Sequence, residues 1–283
     1  MKSLRIVHLT RYSYSESVVL NPHSIFLCPL QKSHYTLSNY KIEITPKPMD
    51  MELRHNIDNN PYYLSWFEGE TEKLEIKVDF SVQLKAFNPF AFILDHKFTE
   101  DFQKNKDSFY SEEDKQLLHA ALHFSAEPEI TAFAKSFSTD QDDPLIFLNG
   151  MLQSIHEEWE HTFREDFGLW TPEKTLAAKS GSCRDLSWML IQMLRSIGLA
   201  CKFVSGYAFN PELEEGHELH AWVEVFLPGA GWVGIDPSLG LFADEHYLPL
   251  ASSAIPRLTL PVVGTYGGAA ESKLESEVYI TPH

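Results

Sequence analysis

We expect an α+β fold for this chain, with an N-terminal antiparallel β sandwich followed by a core in which a helix packs on an antiparallel sheet. Apolar and polar residues alternate as in strands through about the first 98 residues. A helical stripe of apolar residues then runs from Leu186 to Ile197. Beyond it, two β-branched and aromatic runs flank residues 228–231, a pattern that is typical of a β-hairpin.

Length and composition are consistent with two compact units. The chain has 283 residues, of which 43% are hydrophobic, enough for two separate cores. We place an N-terminal β domain at 1–98, a helical linker region at 99–143 and a core domain at 144–283.

The N-terminal strands alternate most clearly over 41–45 and 74–82, and turn-forming clusters at 46–48 and 56–61 separate them. This pattern predicts an antiparallel sandwich. Among its histidines, His8, His23 and His34 are too scattered to predict a metal site. The front domain therefore looks like a packing or substrate-positioning module.

Three helix starts are marked by capping residues. Ser111 is the expected N-cap of a helix over 111–124. Asp143-Pro144 opens a second helix, whose buried stripe is Leu145, Leu148, Leu152 and Ile155. A short helix follows Trp170-Thr171-Pro172, and the run 275–281 is expected to be a closing strand.

Cys183 stands in the first turn of the helix that carries the apolar stripe, and Gly198 supplies its left-handed stop. Unpaired N–H groups at a helix start carry partial positive charge, which favours the ionised form of a thiol. The sequence therefore marks Cys183 as a candidate nucleophile.

His220 lies eight residues before Pro228, and Asp236 lies eight residues after it. A hairpin centred there places the two side chains opposite each other on one face, unless a longer loop or a bulge shifts the register. Such a carboxylate would orient the imidazole, which in turn would accept the thiol proton and return it to a leaving group.

Taken singly, each of these residues has a structural explanation. A cysteine at a helix start is usually a small buried residue, a strand histidine is usually a satisfied core or surface group, and an Asp before Pro usually makes a turn. Their order and surroundings carry the argument.

The motifs are Gly181-Ser182-Cys183-Arg184-Asp185-Leu186, Phe203-Val204-Ser205-Gly206-Tyr207, His220-Ala221-Trp222-Val223-Glu224-Val225 and Gly231-Trp232-Val233-Gly234-Ile235-Asp236-Pro237. In this order they resemble the core of the transglutaminase-like superfamily, cysteine enzymes with a papain-like arrangement of Cys, His and Asp. The segments Val7 to Tyr14, Leu27 to Pro29 and Asp58 to Asn60 are similar to the N-terminal β domain that precedes this core in many bacterial proteins.

The resemblance implies a papain-like core in which Cys183 is the nucleophile, His220 the general base and acid, and Asp236 the orienting carboxylate. It implies acyl transfer on peptide or isopeptide amide bonds through a thioester. Water as acceptor gives a peptidase or amidase, which we favour, and an amine gives a cross-linking transglutaminase. A non-catalytic peptide-binding scaffold remains as an alternative. Similar proteins also suggest amide-ligase pathway proteins as partners.

Several neighbours are candidates for substrate binding. Trp222 shares a strand face with His220, and Trp232 and Trp170 are further aromatic candidates. Asp185 suits a capping role better than a catalytic one, and Arg184 either binds a substrate carboxylate or is simply solvated. The oxyanion stabilisers are expected to be the Cys183 N–H and a side chain from 160–170.

We expect neither a metal nor a cofactor. Cys183, His217 and His220 could surround zinc, but no fourth ligand is evident and the metal would quench the nucleophile. A phosphate-cradling glycine-rich loop is also missing from the sequence.

The net charge is −17, from 40 acidic and 23 basic side chains. Nucleic acid and anionic membrane require a cationic surface, so neither is an expected partner. Cys28, Cys183 and Cys201 are too few and too widely spaced for a disulfide framework, and charges interrupt residues 1–11 where a signal peptide needs an apolar block. We expect a cytoplasmic protein with a peptide or protein substrate; the sequence leaves its oligomeric state open.

Overall fold

A computed structural model describes residues 2–104, 109–137, 143–164, 168–209 and 219–282. It confirms the predicted α+β fold, in which the sheets are antiparallel apart from one two-residue parallel bridge. The N-terminal part consists of six strands: β1 (Lys2–Leu20), β2 (His23–Ile25), β3 (Tyr35–Thr45), β4 (Asp50–His55), β5 (Pro61–Trp66) and β6 (Glu70–Leu84).

These strands form most of two sheets. β1, β3 and β6 belong to one sheet, with β6 in the middle of the three, while β2, β5 and β4 run in that order in the other. Alternating residues of β6 point inward, so that Leu74, Ile76, Val78 and Phe80 are fully buried. They share one hydrophobic cluster with Ile25 and Leu27, so the two sheets enclose a common core.

Four short helices follow: α1 (His96–Gln103), α2 (Glu112–Leu117), α3 (His119–Leu122) and α4 (Pro128–Lys135). Ser111 caps α2 as predicted, since its hydroxyl accepts from the Asp114 N–H at 3.1 Å. The single helix predicted over 111–124 is wrong, however. Leu118, whose side chain is buried, leaves the helical conformation with φ −92° and ψ 3°. The segment therefore forms two shorter helices, one on each side of Leu118.

The core contains α5 (Pro144–Glu158), β7 (Glu160–His161), α6 (Pro172–Ala178), β8 (Ser180–Gly181) and α7 (Cys183–Ser196). Asp143 and Thr171 cap α5 and α6. Leu148, Leu152 and Ile155 of α5 are buried as predicted, but Leu145 is only partly buried; Phe147 and Met151 complete that face.

Five strands then form what we call the core sheet: β9 (Cys201–Ala208), β10 (Leu219–Leu227), β11 (Gly231–Asp236), β12 (Leu241–Phe242) and β13 (Tyr247–Ser253). Their order is β12-β11-β10-β9-β13. The apolar stripe of α7 packs on one face of this sheet, with Met189, Leu190 and Met193 in the same cluster as Val223 and Val225.

The last segment contains a 3-10 turn (Pro256–Thr259), β14 (Val262–Val263), β15 (Tyr266–Gly267) and β16 (Ser272–Pro282). The predicted closing strand therefore exists, but it belongs to the N-terminal part rather than to the core. β16 pairs with β1 from Leu4↔Pro282 to Tyr14↔Ser272. An alternating pattern predicts a strand but not the strand with which it pairs, so the sequence alone does not show that β16 pairs with β1.

The N-terminal strands also hold the core sheet directly. Tyr207 of β9 and Leu248 of β13 are buried in the N-terminal hydrophobic cluster. The Asn60 side chain donates to the Ser252 carbonyl at 2.9 Å and accepts from the Ser252 N–H at 3.0 Å. No helix within the described ranges has the length and apolar character that crossing a membrane requires.

Candidate active site

The start of α7 is fixed by an interlocking cap. Ser182 is the N-cap, and the Asp185 carboxylate accepts from the Ser182 N–H at 3.0 Å and from its hydroxyl at 2.6 Å. This is a capping box, which satisfies N–H groups that have no partner within the helix. Asp185 has the predicted capping role, and Cys183 occupies the first helical position beside the positive end of the helix dipole.

Asp185 also anchors the loop that precedes α6. Arg164 makes two contacts of 2.9 Å with its carboxylate, and the Trp170 N–H donates to it at 2.8 Å. Asp185 is 0% exposed, so the guanidinium neutralises a charge that water does not reach. Arg184 is partly buried and donates to the Arg164 carbonyl at 3.0 Å, rather than being simply solvated.

His220 and Asp236 meet as predicted, but by a different register. The hairpin pairs Val223 with Ile235 and Leu227 with Gly231, so its centre is Gly229 rather than Pro228. Extended by one residue on each strand, this register places Asp236 opposite Trp222 and therefore diagonal to His220. Because the shift is an even number of residues, both side chains stay on one face, and His220 Nε2 lies 2.6 Å from Asp236 Oδ2.

The Asp236 carboxylate is completely buried and fully hydrogen-bonded. Its Oδ1 accepts from the Ser238 N–H at 2.9 Å, the Ser238 hydroxyl at 2.6 Å and the Leu239 N–H at 3.2 Å. The Tyr247 hydroxyl donates to Oδ2 at 2.9 Å. Sequence reasoning missed Ser238 and Tyr247. Ser238 follows Asp236 closely enough for an Asx-type turn to have indicated it, but Tyr247 comes from a separate strand.

The charges of these groups support one another. Burial by itself would raise the pKa of the Cys183 thiol, but the positive charge of His220 and hydrogen bonds from His161, His220 and the Ala221 backbone lower it to about 6. Burial opposes protonation of His220 too, yet the charges of Asp236 and Cys183 raise its pKa well above the usual value. The resting pair is therefore a thiolate and an imidazolium.

The two nitrogens of the His220 ring have different partners. Nε2 is bonded to Asp236, which leaves Nδ1 as the nitrogen for the thiol. The hydrogen bond to the carboxylate fixes the ring and stabilises its protonated form. The described geometry thus combines a nucleophile, a proton carrier and an orienting carboxylate.

His161 is a neighbour of the thiol that sequence reasoning did not name. β7 pairs in parallel with β8, with His161 beside Gly181, two residues before Cys183. From there its side chain hydrogen-bonds Cys183. The sequence indicated this segment only through the expectation that a side chain from 160–170 stabilises the oxyanion.

The three tryptophans predicted to bind substrate occupy different environments, and that role stays a prediction. Trp222 is 2% exposed and stacks on His220 with ring centroids 6.3 Å apart. Trp232 packs against Phe226 and under the Lys202 ammonium. Trp170 is partly exposed, between the Arg164 and Lys174 cations at 4.8 and 3.9 Å from its ring centroid.

Trp222 and Trp232 also line a cavity of about 270 Å³ between the core sheet and the segments 32–34 and 87–92. Lys32, His34 and Tyr247 contribute to its wall, whereas Cys183 and His220 do not. This cavity is therefore distinct from the space around the thiol and the imidazole.

His217, which with Cys183 and His220 formed the zinc arrangement that the sequence argued against, lies outside the described residues. In the part of the chain that is described, three potential ligand atoms come within 4.8 Å of one another at Asp244, Glu245 and His246. Their side chains are partly exposed and precede β13, and His246 Nδ1 lies 3.0 Å from Asp244 Oδ1. We assign no metal to them.

Two family models match the chain. Residues 131–237 match the model of the transglutaminase-like superfamily, and residues 4–83 match that of the bacterial transglutaminase-like N-terminal region. The first match begins within α4, ends just after Asp236 and includes all three residues of the candidate site; the second runs from within β1 to within β6. The chain belongs to the transglutaminase-like superfamily.

Relatives of this transglutaminase-like chain include an uncharacterized protein of Mycobacterium tuberculosis, 23% identical over 98% of this chain and 92% of that protein. A protein-glutamine gamma-glutamyltransferase of Pseudomonas aeruginosa is 22% identical over 66% of this chain and 30% of that protein. Among solved structures, a "Putative Cysteine Protease" from Cytophaga hutchinsonii is similar with a TM-score of 0.71 and 14% identity, over 99% of this chain and 90% of that chain.

The similarity to this solved structure covers almost the whole chain, so the two proteins share a fold that includes the N-terminal strands. Membership of the superfamily supports a cysteine-dependent acyl transfer as the general chemistry of the protein. It leaves open which acceptor receives the acyl group.

Proposed function

We propose that this protein is a cysteine-dependent hydrolase that cleaves peptide or isopeptide amide bonds through a thioester on Cys183. The observation that carries the proposal is the thiol at the start of α7, beside an imidazolium that a buried carboxylate holds at 2.6 Å. This combination gives an ionised nucleophile near neutral pH and a proton donor for the leaving amine.

Acylation follows from the positions of these groups. The Cys183 sulfur attacks the amide carbonyl carbon, and the carbonyl electron pair moves to the oxygen to give an oxyanion. The Cys183 N–H, at the first helical position, is available to that oxygen. The C–N bond then breaks, and the imidazolium of His220 gives its Nδ1 proton to the leaving amine, which leaves a thioester and a neutral imidazole.

Deacylation uses the same residues in reverse. Neutral His220 removes a proton from water as its oxygen attacks the thioester carbon. The C–S bond breaks, the acid leaves and the thiolate–imidazolium pair is restored. Asp236 keeps the imidazole oriented throughout, because its carboxylate is held by Ser238 and Tyr247.

Two observations favour water as the acceptor. The fold relative from Cytophaga hutchinsonii carries a protease name. Moreover, the carboxylates near the thiol in the described chain are already paired, Asp185 with Arg164 and Asp236 with His220, and Arg184 next to Cys183 adds a positive charge. A lysine ammonium would meet like charge there, whereas water would not.

Amine transfer is the second candidate, because a relative in Pseudomonas aeruginosa is named as a protein-glutamine gamma-glutamyltransferase. It would use the same thioester, with an amine nitrogen in place of the water oxygen.

As substrate we propose a peptide or protein, and as partners amide-ligase pathway proteins that act in the same process. The cysteines Cys28, Cys183 and Cys201 are free thiols, which supports a reducing, cytoplasmic location.

A single assay separates the two acceptors. The protein is incubated with glutamine-containing and isopeptide-linked peptides plus a labelled primary amine, and products are identified by mass spectrometry. Free acid without label supports hydrolysis, and incorporated label supports amine transfer.

Two variants show whether Cys183 is responsible. Cys183→Ala should abolish either product, while Cys28→Ala, which removes a thiol between β2 and β3, should retain it. Product formation by Cys183→Ala would refute the proposed nucleophile. Peptide binding without any product in the unmodified protein would instead support the scaffold alternative.

A further inference from the structure

We propose that His161 supplies the side-chain N–H of the oxyanion hole, alongside the backbone N–H of Cys183. This inference rests on the proposed function and assigns a catalytic residue outside the Cys183, His220 and Asp236 set. The juxtaposition that carries it is a histidine on one short strand and a thiol that follows the neighbouring strand.

The backbone holds His161 in place. The Glu160 N–H donates to the Lys179 carbonyl at 3.0 Å, and the Thr162 N–H donates to the Gly181 carbonyl at 2.9 Å. These bonds flank His161 and fix it beside Gly181. A Cβ atom on Gly181 would lie only 3.0 Å from the Asp185 Cβ, so glycine allows the bridge to lie close to the α7 cap.

A hydrogen bond from the His161 side chain is among the causes that lower the pKa of the Cys183 thiol, so its ring lies within reach of the sulfur in the resting protein. During attack the negative charge moves from sulfur to the carbonyl oxygen, which is only two bonds away from the sulfur. A donor that bonds the thiolate before attack can therefore bond the oxyanion after a small rotation. His161 is exposed, so its ring can make that rotation without disturbing packed neighbours.

His220 cannot fill this role, since its Nδ1 proton is required by the leaving amine. His161 is in turn a poor candidate for a second base. Within the described ranges no carboxylate lies within ion-pair distance of its ring, whereas Asp236 holds His220. An oxyanion donor needs only a positioned N–H, and removal of such a donor lowers rates by about 10²–10³-fold.

The test compares two small reagents that modify Cys183. Acylation by p-nitrophenyl acetate passes through an oxyanion, whereas alkylation by iodoacetamide displaces iodide and forms none. Both rates are followed by mass spectrometry of the Cys183 peptide at pH 8, above the thiol pKa of about 6. For His161→Ala we expect acylation to fall by about 10²–10³-fold while alkylation changes by less than about threefold.

His161→Gln retains a side-chain N–H donor and should recover at least about tenfold of the lost acylation rate. Glu160→Ala is the matched control, because Glu160 is the exposed neighbour on the same strand. It should leave both rates unchanged. An unchanged acylation rate in His161→Ala would overturn the proposal, and so would equal losses in acylation and alkylation, which would indicate only a disturbed thiol.

Failure of the proposed function would look different. Both reagents are generic electrophiles, so the ratio of the two rates is measurable whatever the natural substrate is. A protein that shows the expected ratio but converts no peptide would retain the oxyanion assignment and lose the peptidase assignment. If the protein cleaves peptides but the ratio of acylation to alkylation is unchanged in His161→Ala, the peptidase assignment is retained and the oxyanion assignment is lost.

Discussion

Burial by itself disfavours an ionised thiol, and the reactivity of Cys183 depends on what outweighs that effect. The imidazolium of His220 supplies the largest opposing contribution, followed by the hydrogen bonds from His161, His220 and the Ala221 backbone. Cys28 and Cys201 show the contrast. Burial raises the pKa of both thiols, and for Cys201 it does so to about 12.

We therefore expect the alkylation rate of Cys183 by iodoacetamide to have its pH midpoint near 6. Thiolate is present above that pH and is lost below it. In His220→Ala the imidazolium is removed, burial is opposed less strongly, and the midpoint should move upward by more than about one pH unit. Peptide mass spectrometry after timed quenching measures both Cys183 and the internal control Cys28. A Cys183 midpoint near the free-thiol value of about 8.5 would contradict the ion pair.

The Tyr247 hydroxyl acts on the reaction through Asp236, so we regard Tyr247 as a positioning residue. It donates to Oδ2, the oxygen that also bonds His220. Tyr247→Phe removes a hydrogen bond to a charged group, typically about 1.5–3 kcal/mol. We expect kcat/KM to fall by about tenfold or more, mainly through kcat.

Tyr266→Phe is the control for that substitution, because it also loses one hydroxyl hydrogen bond, to the Ala270 carbonyl, but far from Asp236 in the chain and on β15 of the N-terminal sheet. It should leave kcat/KM unchanged. Equal losses in the two variants would mean that the effect is general destabilisation rather than positioning of Asp236.

At the scale of elements, α7 matters because its first turn is tied to two other segments. Asp185 joins the cap of α7 to Arg164 and to the Trp170 N–H. The same carboxylate thus fixes the start of the helix that presents Cys183 and holds Arg164 and Trp170, which precede α6.

Asp185→Ala should lower the free energy of unfolding by about 3–5 kcal/mol, because it leaves the Arg164 charge and several cap donors without their buried partner. Asp79→Ala is a matched control: Asp79 also receives two bonds from one arginine, Arg5, but both side chains are partly exposed. Its cost should be within about 1 kcal/mol. Urea denaturation of the two variants measures the difference, and similar costs would show that the α7 cap adds little.

The hairpin of β10 and β11 shows which differences between predicted and observed register leave the two site residues on the same face. Its centre lies one residue beyond the position expected from the sequence, so the paired residues differ by two. Because side chains alternate along a strand, a difference of two keeps His220 and Asp236 on one face. A difference of one would have separated them.

At the scale of the whole molecule, the two ends of the chain meet in one sheet. β16 pairs with β1 over its full length, and β1 also pairs with β6. The buried His8 lies on β1, and its Nδ1 is 2.8 Å from the hydroxyl of Tyr207 in the core sheet. The N-terminal strands, the C-terminal strand and the core thus stabilise one another.

His8 makes the stability of this assembly sensitive to acid. Burial lowers the pKa of His8 from 6.5 to about 4, so between these values an unfolded chain binds a proton that the folded protein excludes. The full contribution is present above about pH 6.5 and is lost as the pH falls toward 4. At about 1.4 kcal/mol per pKa unit, the loss is about 3 kcal/mol.

Urea denaturation at pH 7 and pH 4.5 should show this loss, and His8→Gln should show less of it. The exposed His55 provides the control His55→Gln, which should retain the acid sensitivity of the unmodified protein. An equal pH dependence in all three proteins would exclude His8 as the source.

Local sequence patterns determined much of this protein. The N-caps Ser111, Asp143 and Thr171, the Gly198 stop and the apolar stripe of α7 depend on contacts within a few residues, and each lies where the pattern placed it. The motif order around Cys183, His220 and Asp236 likewise identifies the superfamily from the sequence alone.

Only the tertiary structure decided the rest. The pairing of Arg164 with Asp185, the support of Asp236 by Tyr247, the approach of His161 to the thiol and the return of β16 to β1 all join residues from separate elements. Alternation and helical spacing state which face of an element is buried, but not which element covers it. That choice is made when the elements pack, because only then do burial, charge and hydrogen-bond geometry act together.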